Sequence, residues 1–182
     1  MKSGAILVSV VLAVVAPSAG AANPSPYILA DLGQSKVSNG CEGLPGNCKE
    51  TDVAVRVGFG YQLSDNLGFE GAYVDSGKVT ATNGGASSDI KATEMQLVAT
   101  GAIPLTRKFS LIGRAGLSVW KLDADDTTLN TDGRDFLVGA GVQYNLDSSL
   151  AFRAQYETHK VGTVSTGRHS LSMVSAGMII KF

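Results

Sequence analysis

Seven charged side chains occupy positions where the chain alternates between apolar residues and residues that are small or polar. Each lies on the polar side of the alternation, because residues two apart in an extended chain share a face. Three are cations and four are anions: Arg56, Arg114, Arg153, Asp31, Glu70, Glu94 and Glu157. Buried charges are costly unless they are paired. The nearly balanced signs predict a network of ion pairs, and the open alternative is that some of these side chains are solvated singly.

Residues that could supply a nucleophile and a base lie late in the chain: Glu157, His159, His169, Ser170 and Ser172. Nucleophilic catalysis requires a serine and its base within hydrogen-bond reach, on one face of a strand. Two positions after His169 stands Leu171, and no serine of this group shares the face of His159. The arrangement needed for catalysis is therefore absent, and we do not expect an enzyme.

The two cysteines, Cys41 and Cys48, enclose a short segment that contains two glycines and a proline. In an exported protein such a pair predicts a disulfide, and closing a small ring stabilises by roughly 2–3 kcal/mol in the chain-entropy description. With only two histidines besides, little material remains for a metal site. No metal and no cofactor are expected.

Composition and the first segment narrow the class of protein. The 182 residues favour one domain, and the formal net charge of −1 lacks the basic excess of a nucleic-acid-binding protein. Only 17% of the residues are charged, against about 25% in typical soluble domains. Segment 1–21 has a basic start at Lys2, an uncharged run and an Ala-Gly-Ala end. It predicts a secretory signal peptide that leaves 22–182 as the mature chain.

The elements that must position the charged residues are strands. In segment 53–63 the odd positions are all apolar, whereas the even ones are small or polar. This period of two is typical of a strand between two different environments. The same alternation predicts eight strands in all, with the others at 27–35, 67–73, 90–103, 109–119, 136–146, 150–157 and 170–182.

The connections between these strands alternate in length. Short turns are predicted at 64–66, 104–108 and 147–149, and long polar segments at 36–50, 75–89, 121–134 and 159–168. Short and long connections in strict alternation predict an antiparallel up-and-down sheet that has short turns at one end and long loops at the other.

The glycines decide which face is inside. Eight of them lie on the non-apolar face: Gly33, Gly58, Gly60, Gly68, Gly116, Gly139, Gly141 and Gly177. A face in water would carry Lys, Glu and Thr, whereas the interior of an eight-stranded barrel has room for little beyond its own side chains. The alternative, a soluble barrel with an apolar interior, fits this pattern poorly. We therefore predict an all-β, eight-stranded antiparallel up-and-down transmembrane β-barrel with its apolar face toward lipid.

Several segments of this barrel resemble the OmpA-like family of small outer-membrane β-barrels. The resemblance rests on YILADLGQS at 27–35, VGFGY at 57–61, GAYVD at 71–75, KFSLIGRAG at 108–116 and GMIIKF at 177–182. It implies a polar, plugged interior. It also implies that Met178, Ile180 and Phe182 form the signal read by the outer-membrane insertion machinery. Larger members continue into a peptidoglycan-binding domain, and because the chain stops at Phe182 we do not expect cell-wall tethering.

Taken together, these features predict a monomeric integral protein of a Gram-negative-type outer membrane, with external loops. Its expected surroundings are membrane lipid and lipopolysaccharide, and no ligand of the loops follows from the sequence. The expected role is structural, supporting envelope integrity with loops available for interactions. A narrow channel for ions or small solutes is the alternative, and a lipid-modifying enzyme is a weaker one.

Overall fold

A computed structural model describes residues 24–38, 47–83, 86–124, 131–162 and 169–182. The predicted signal peptide lies outside these ranges. The strands within them are β1 (Ser25–Ser38), β2 (Asn47–Lys49), β3 (Thr51–Gln62), β4 (Leu67–Asn83), β5 (Ala86–Pro104), β6 (Phe109–Ala124), β7 (Thr131–Asn145), β8 (Leu150–Val161) and β9 (His169–Lys181). No helix that could traverse a membrane occurs in the described part of the chain.

Eight long strands form a closed antiparallel barrel, as predicted. Each pairs with its neighbours along the chain, and β1 pairs with β9 from Tyr27↔Lys181 to Ser38↔Ser170. The short strand β2 adds to the edge of β4 above the barrel wall. Closure pairs the backbone N–H and C=O groups within the sheet, which is the condition for a sheet to lie in hydrocarbon.

Two connections predicted to be long loops are largely strand. The prediction placed polar loops at 75–89 and 121–134, but β4 runs to Asn83 and β6 runs to Ala124. It was wrong there because apolar alternation marks only the part of a strand that faces lipid. Beyond that part the backbone ladder continues through polar residues, since its hydrogen bonds do not depend on side-chain polarity.

The short turns follow the prediction, and the turn at 147–149 shows why. The Asp147 carboxylate accepts hydrogen bonds from the backbone N–H of Ser149 (2.7 Å) and Leu150 (2.8 Å). These two bonds hold the pKa of Asp147 below its usual range. The side chain thereby fixes the turn that sets the register between β7 and β8.

The apolar face points outward. Large hydrophobic side chains on the outer wall are widely exposed, with Phe59 71% and Phe136 65% accessible. The opposite face of the same strands is buried, as at Ala54 and Leu137. The inside-out arrangement inferred from the glycines is therefore confirmed, and the outer wall is a surface suited to lipid.

Val138 tests this orientation, because it lies on the outer wall of β7 and is 53% accessible. Val138→Arg is expected to lower the free energy of unfolding by about 2–4 kcal/mol, the cost of an arginine near the bilayer midplane. Urea titration of protein folded into phospholipid vesicles measures the loss. Val138→Leu is the control and should unfold like the wild type. An arginine variant as stable as the wild type would contradict the assignment of the faces.

Candidate functional site in the barrel lumen

Six of the seven inward charges form a closed ring of alternating sign across the lumen. We call this set the charged ring; going round it, the members are Asp31, Arg56, Glu157, Arg114, Glu70 and Arg153. Every member is at most 4% exposed. Three guanidinium groups face three carboxylates, so the ring has no net charge when all six groups are ionised.

The first four contacts of the ring join β1, β3, β4, β6 and β8. Arg56 Nη1 lies 3.0 Å from Asp31 Oδ2, and Arg56 Nη2 contacts Glu157 Oε1. Arg114 Nη1 lies 2.5 Å from Glu157 Oε2, and its Nη2 lies 2.9 Å from Glu70 Oε2. Glu157 therefore uses its two oxygens on two different arginines.

Arg153 completes the ring between Glu70 and Asp31. Its Nη1 lies 2.7 Å from Glu70 Oε1, and its Nη2 lies 2.7 Å from Asp31 Oδ2. The Nε of Arg153 also donates to Asp31 Oδ1 at 2.9 Å, so this pair has the bidentate geometry that planar guanidinium groups favour. Tyr27 adds a neutral donor, with its hydroxyl 3.0 Å from Glu70 Oε1.

Glycines on intervening strands allow these side chains to meet. Gly177 on β9 is in register with both Asp31 on β1 and Arg153 on β8. Gly139 on β7 is in register with both Arg114 on β6 and Glu157 on β8 in the same way. In each case two charges that are two strands apart approach each other over a residue without a side chain.

The contact between Tyr27 and Glu70 uses the same device. Gly60 on β3 is in register with Tyr27 on β1 and with Glu70 on β4. A Cβ at Gly60 would overlap the Tyr27 ring, and a Cβ at Gly177 would overlap the Asp31 carboxylate. The small residues that indicated a crowded interior therefore lie where longer side chains cross the lumen.

Glu94, the seventh predicted charge, is not part of the ring. Its carboxylate accepts hydrogen bonds from Ser76 Oγ (2.6 Å), Ser118 Oγ (2.7 Å) and Gln96 Nε2 (3.1 Å). His159 Nε2 lies 3.2 Å from Glu94 Oε2, although the two groups are not aligned for a hydrogen bond. Glu94 is therefore held chiefly by neutral donors beside one buried imidazole.

The lumen differs on the two sides of these polar groups. Toward the loops, Trp120 packs with Ala92, Val161 and Leu171 in an apolar cluster. Toward the turns lies a cavity of about 90 Å³ that reaches from Glu70, Arg114 and Arg153 to the short turns. That volume corresponds to roughly three water molecules.

Sequence reasoning missed several of the ring's partners. Counting residues from the predicted turns places Arg56, Glu94 and Glu157 in the upper half of the lumen, Glu70 and Arg153 in the lower half and Arg114 near mid-height. In the structure Arg114 contacts one residue of each half, Glu157 and Glu70. The sequence pattern gives no indication of the contacts that four further lumen residues make: Tyr27, Ser76, Gln96 and Ser118. His159 was weighed only as a base, although its shared face with Glu157 was the signal that it points into the lumen.

The remaining predicted site residues have different outcomes. Cys41 and the side chain of Cys48 lie outside the described residues, so the disulfide stays a prediction. Met178, Ile180 and Phe182 lie on the outer side, where all three are exposed, and their role in assembly also stays a prediction. Within the described ranges, no group of three His, Cys, Asp or Glu residues could hold a metal ion.

A closed barrel with an apolar outer wall and a charged interior defines an integral β-barrel protein of the outer-membrane type. Residues 5–176 match the family model described as outer membrane protein beta-barrel domain, and the chain belongs to this family. It is localised as an integral protein of the outer membrane.

Relatives and solved structures agree with the family. Outer membrane protein A of Escherichia coli O157:H7 is 29% identical over 194 aligned positions, covering 100% of this chain and 55% of that protein. Outer membrane protein A of Klebsiella pneumoniae is 26% identical, over 79% of this chain and 45% of the relative. The chain thus spans about half the length of the curated relatives it matches.

Among solved structures, Neisserial surface protein A superposes with a TM-score of 0.67 at 20% identity, covering 88% of this chain and 100% of that one. The barrel domain of OprF from Pseudomonas aeruginosa superposes with a TM-score of 0.58 at 13% identity, covering 86% and 97%. At these identities the likeness concerns the fold.

Gly177 provides a test of the glycine crossings. Gly177→Ala is expected to destabilise the barrel by about 1–3 kcal/mol, because the added methyl group overpacks against the Asp31 carboxylate and the backbone of β1. Gly113→Ala is the matched control, since a Cβ there meets no atom within 4 Å. Urea titration compares the two, and equal effects would contradict a role for Gly177 in seating the ring.

The distinction between the ring and Glu94 can be tested by removing one carboxylate charge at a time. Glu70→Gln is expected to lower the free energy of unfolding by about 3–5 kcal/mol, because Arg114 and Arg153 lose the charge they share. Glu94→Gln should cost clearly less, since its hydrogen-bond donors are neutral. Denaturant titration in one lipid composition gives both values. Equal losses would show that the ring is not a separate unit.

Proposed function

We propose that this protein is a structural component of the outer membrane whose lumen is closed to ions by the charged ring. The observation that carries the proposal is the closed alternation of three arginines and three carboxylates across the barrel. In the unbroken ring every charge already has two partners of opposite sign, so a permeating ion meets no free charge that it could bind. A barrel that conducts nothing contributes to the envelope through its presence in the membrane and through its external surface.

The energetic argument concerns what an ion would have to displace. A solute crossing the lumen must separate buried pairs such as Arg153 and Asp31, which are joined by two hydrogen bonds. Removing one partner of a buried pair costs about 3–5 kcal/mol, because the other charge is left uncompensated. Displacing several pairs together would present a barrier well above thermal energy.

The layer above the ring adds a second obstacle. Trp120 is 3% exposed and packs with Leu171 and Val161 at the loop side of the lumen. A hydrated ion that passed the ring would have to enter this apolar cluster, where it would lose hydration without gaining a counter-charge. The ring and the cluster therefore support closure by different physical means.

The alternative function is a narrow channel for ions or small solutes. It is favoured by the cavity of about 90 Å³ on the turn side, which is lined by polar side chains and reaches the ring. Were the ring to open, this cavity would extend through it as far as the Trp120 cluster. A lipid-modifying activity has less support, because His159, the histidine deepest in the lumen, lies beside Glu94 and away from lipid.

Single-channel recording in planar bilayers distinguishes the two functions. Wild-type protein should insert without unitary current steps. Arg114→Ala should lose about 3–5 kcal/mol of stability, and its combination with Trp120→Ala, which also removes the apolar obstacle, should show steps. Insertion is verified by electrophoresis in SDS, where the folded barrel should migrate faster than the boiled sample. Wild-type current steps would establish the channel instead.

Arg134→Ala is the control for this recording, because Arg134 is an exposed arginine on β7 away from the ring. It should be silent and as stable as the wild type. If Arg114→Ala is as stable as the wild type and its combination with Trp120→Ala is silent, the ring does not close the lumen and the proposal fails.

A further inference from the structure

The outer wall carries an unusual polar patch on β8, β9 and β1, on the loop side of the lipid-facing surface. We call it the β8–β9–β1 patch; it consists of Lys36, Tyr156, Thr158, Lys160, Ser170 and Ser172. Both lysines are exposed, and neither forms an ion pair with any residue that the structure describes. None of the outward positions of these three strands beyond Tyr156 is acidic. The patch therefore combines two uncompensated cations with a group of hydroxyls.

The hydroxyls lie in one connected row between the lysines. Tyr156 Oη donates to Ser172 Oγ at 3.0 Å, Ser172 Oγ donates to Thr158 Oγ1 at 3.2 Å, and Thr158 Oγ1 lies 3.2 Å from Ser170 Oγ. Ser172 is in register with Lys36 on β1, and Ser170 is in register with Lys160 on β8. With neighbouring strands about 4.8 Å apart, both ammonium groups reach the hydroxyl row.

The opposite wall carries lysines that are already neutralised. Lys91 Nζ lies 2.8 Å from Asp75 Oδ2, and Lys121 Nζ lies 2.7 Å from Asp123 Oδ1. These lysines also face outward on the loop side, but each has a carboxylate within hydrogen-bond distance. The lysines of the outer wall thus differ between its two sides: Lys91 and Lys121 are ion-paired, whereas the lysines of the β8–β9–β1 patch have no partner among the described residues.

The height of the patch identifies its surroundings. Lys36 stands four residues beyond Leu32, and Lys160 stands four residues beyond Tyr156, and both of these belong to the exposed apolar and aromatic surface. Four residues of a tilted strand rise about 10 Å. That distance leads from the edge of the hydrocarbon into the headgroup layer, which extends about 5–8 Å beyond the core on each side. Flexible lysine side chains span the difference.

We propose that the β8–β9–β1 patch is a binding site for the phosphate group of a lipid in the leaflet that surrounds the loop end of the barrel. Lys36 and Lys160 supply the counter-charges for the phosphate. Ser170 and Ser172 turn their hydroxyl protons from Thr158 to the phosphate oxygens. The lipid's acyl chains lie along the apolar wall below Tyr156. The inference rests on the outer wall alone and is independent of whether the lumen conducts.

Native mass spectrometry of the intact folded protein in detergent tests the site, with diphosphorylated lipid A as the probe and chemically dephosphorylated lipid A beside it. The wild type should bind the phosphorylated form more tightly. Lys36→Gln combined with Lys160→Gln should weaken that binding roughly thirtyfold, since each lysine near an anionic lipid surface contributes about fivefold. The double variant should keep only the smaller preference for the phosphorylated form that the hydroxyls of Ser170 and Ser172 supply.

Lys91→Gln combined with Lys121→Gln is the matched control, because it removes the same charge from lysines that already have carboxylate partners. Its affinity for the phosphorylated lipid should stay within about twofold of the wild type. If both double variants weakened binding equally, the lipid would be held by general electrostatic attraction and not by a specific site, and the proposal would be overturned. Unchanged binding by the patch variant would also overturn it.

Competition with inorganic phosphate distinguishes a lipid phosphate group from a free phosphate anion as the ligand of the site. Millimolar phosphate should not displace lipid A from the wild type, because the acyl chains contribute to binding along the wall. Displacement would assign the site to a free anion and overturn the lipid assignment. A further variant, Ser170→Ala combined with Ser172→Ala, should weaken lipid binding while both lysines remain. Unchanged affinity of this variant would show that the two hydroxyls do not contact the phosphate.

Discussion

The interior of this barrel is governed by the requirement that charge buried in a narrow lumen must be neutralised within the lumen. Three arginines and three carboxylates meet this requirement by forming a ring in which each group contacts two of opposite sign. Losing any one member of the ring destabilises the barrel, because its two neighbours are left with buried charges that are no longer fully compensated. The ring ties together strands β1, β3, β4, β6 and β8, and so links most of the wall through its centre.

The glycines of the sequence have their explanation in the same requirement. Neighbouring strands lie about 4.8 Å apart, and ring members such as Asp31 and Arg153 are two strands apart. A side chain on the intervening strand would stand between them, and Gly177 occupies that position. Gly139 and Gly60 do the same for two other contacts. Residues that weaken an isolated strand are here a condition for the interior to pack.

Charged side chains therefore have different kinds of partner inside the barrel and on its outer wall. Each charge of the ring contacts two groups of opposite sign. The outer wall instead divides into a face where Lys91 and Lys121 have carboxylate partners and a face where Lys36 and Lys160 have none among the described residues. In the lumen an unpaired charge is expensive because burial removes it from bulk water. On the outer wall the headgroup layer supplies counter-ions, so unpaired lysines are tolerated and can become a means of recognition.

The sequence by itself determined the class of fold and the face on which each residue lies. A period of two repeated along eight segments is sufficient for both, because alternate residues of a strand face opposite environments. It placed Arg114 and Glu157 in the lumen for this local reason. It failed to give the ends of β4 and β6, where polar residues continue the ladder without any apolar signal. Only the tertiary structure decided which charges meet, since Asp31 and Arg153 are 122 positions apart in the chain. Register, strand closure and a glycine on the strand between them bring those two together, and they leave Glu94 outside the ring beside His159.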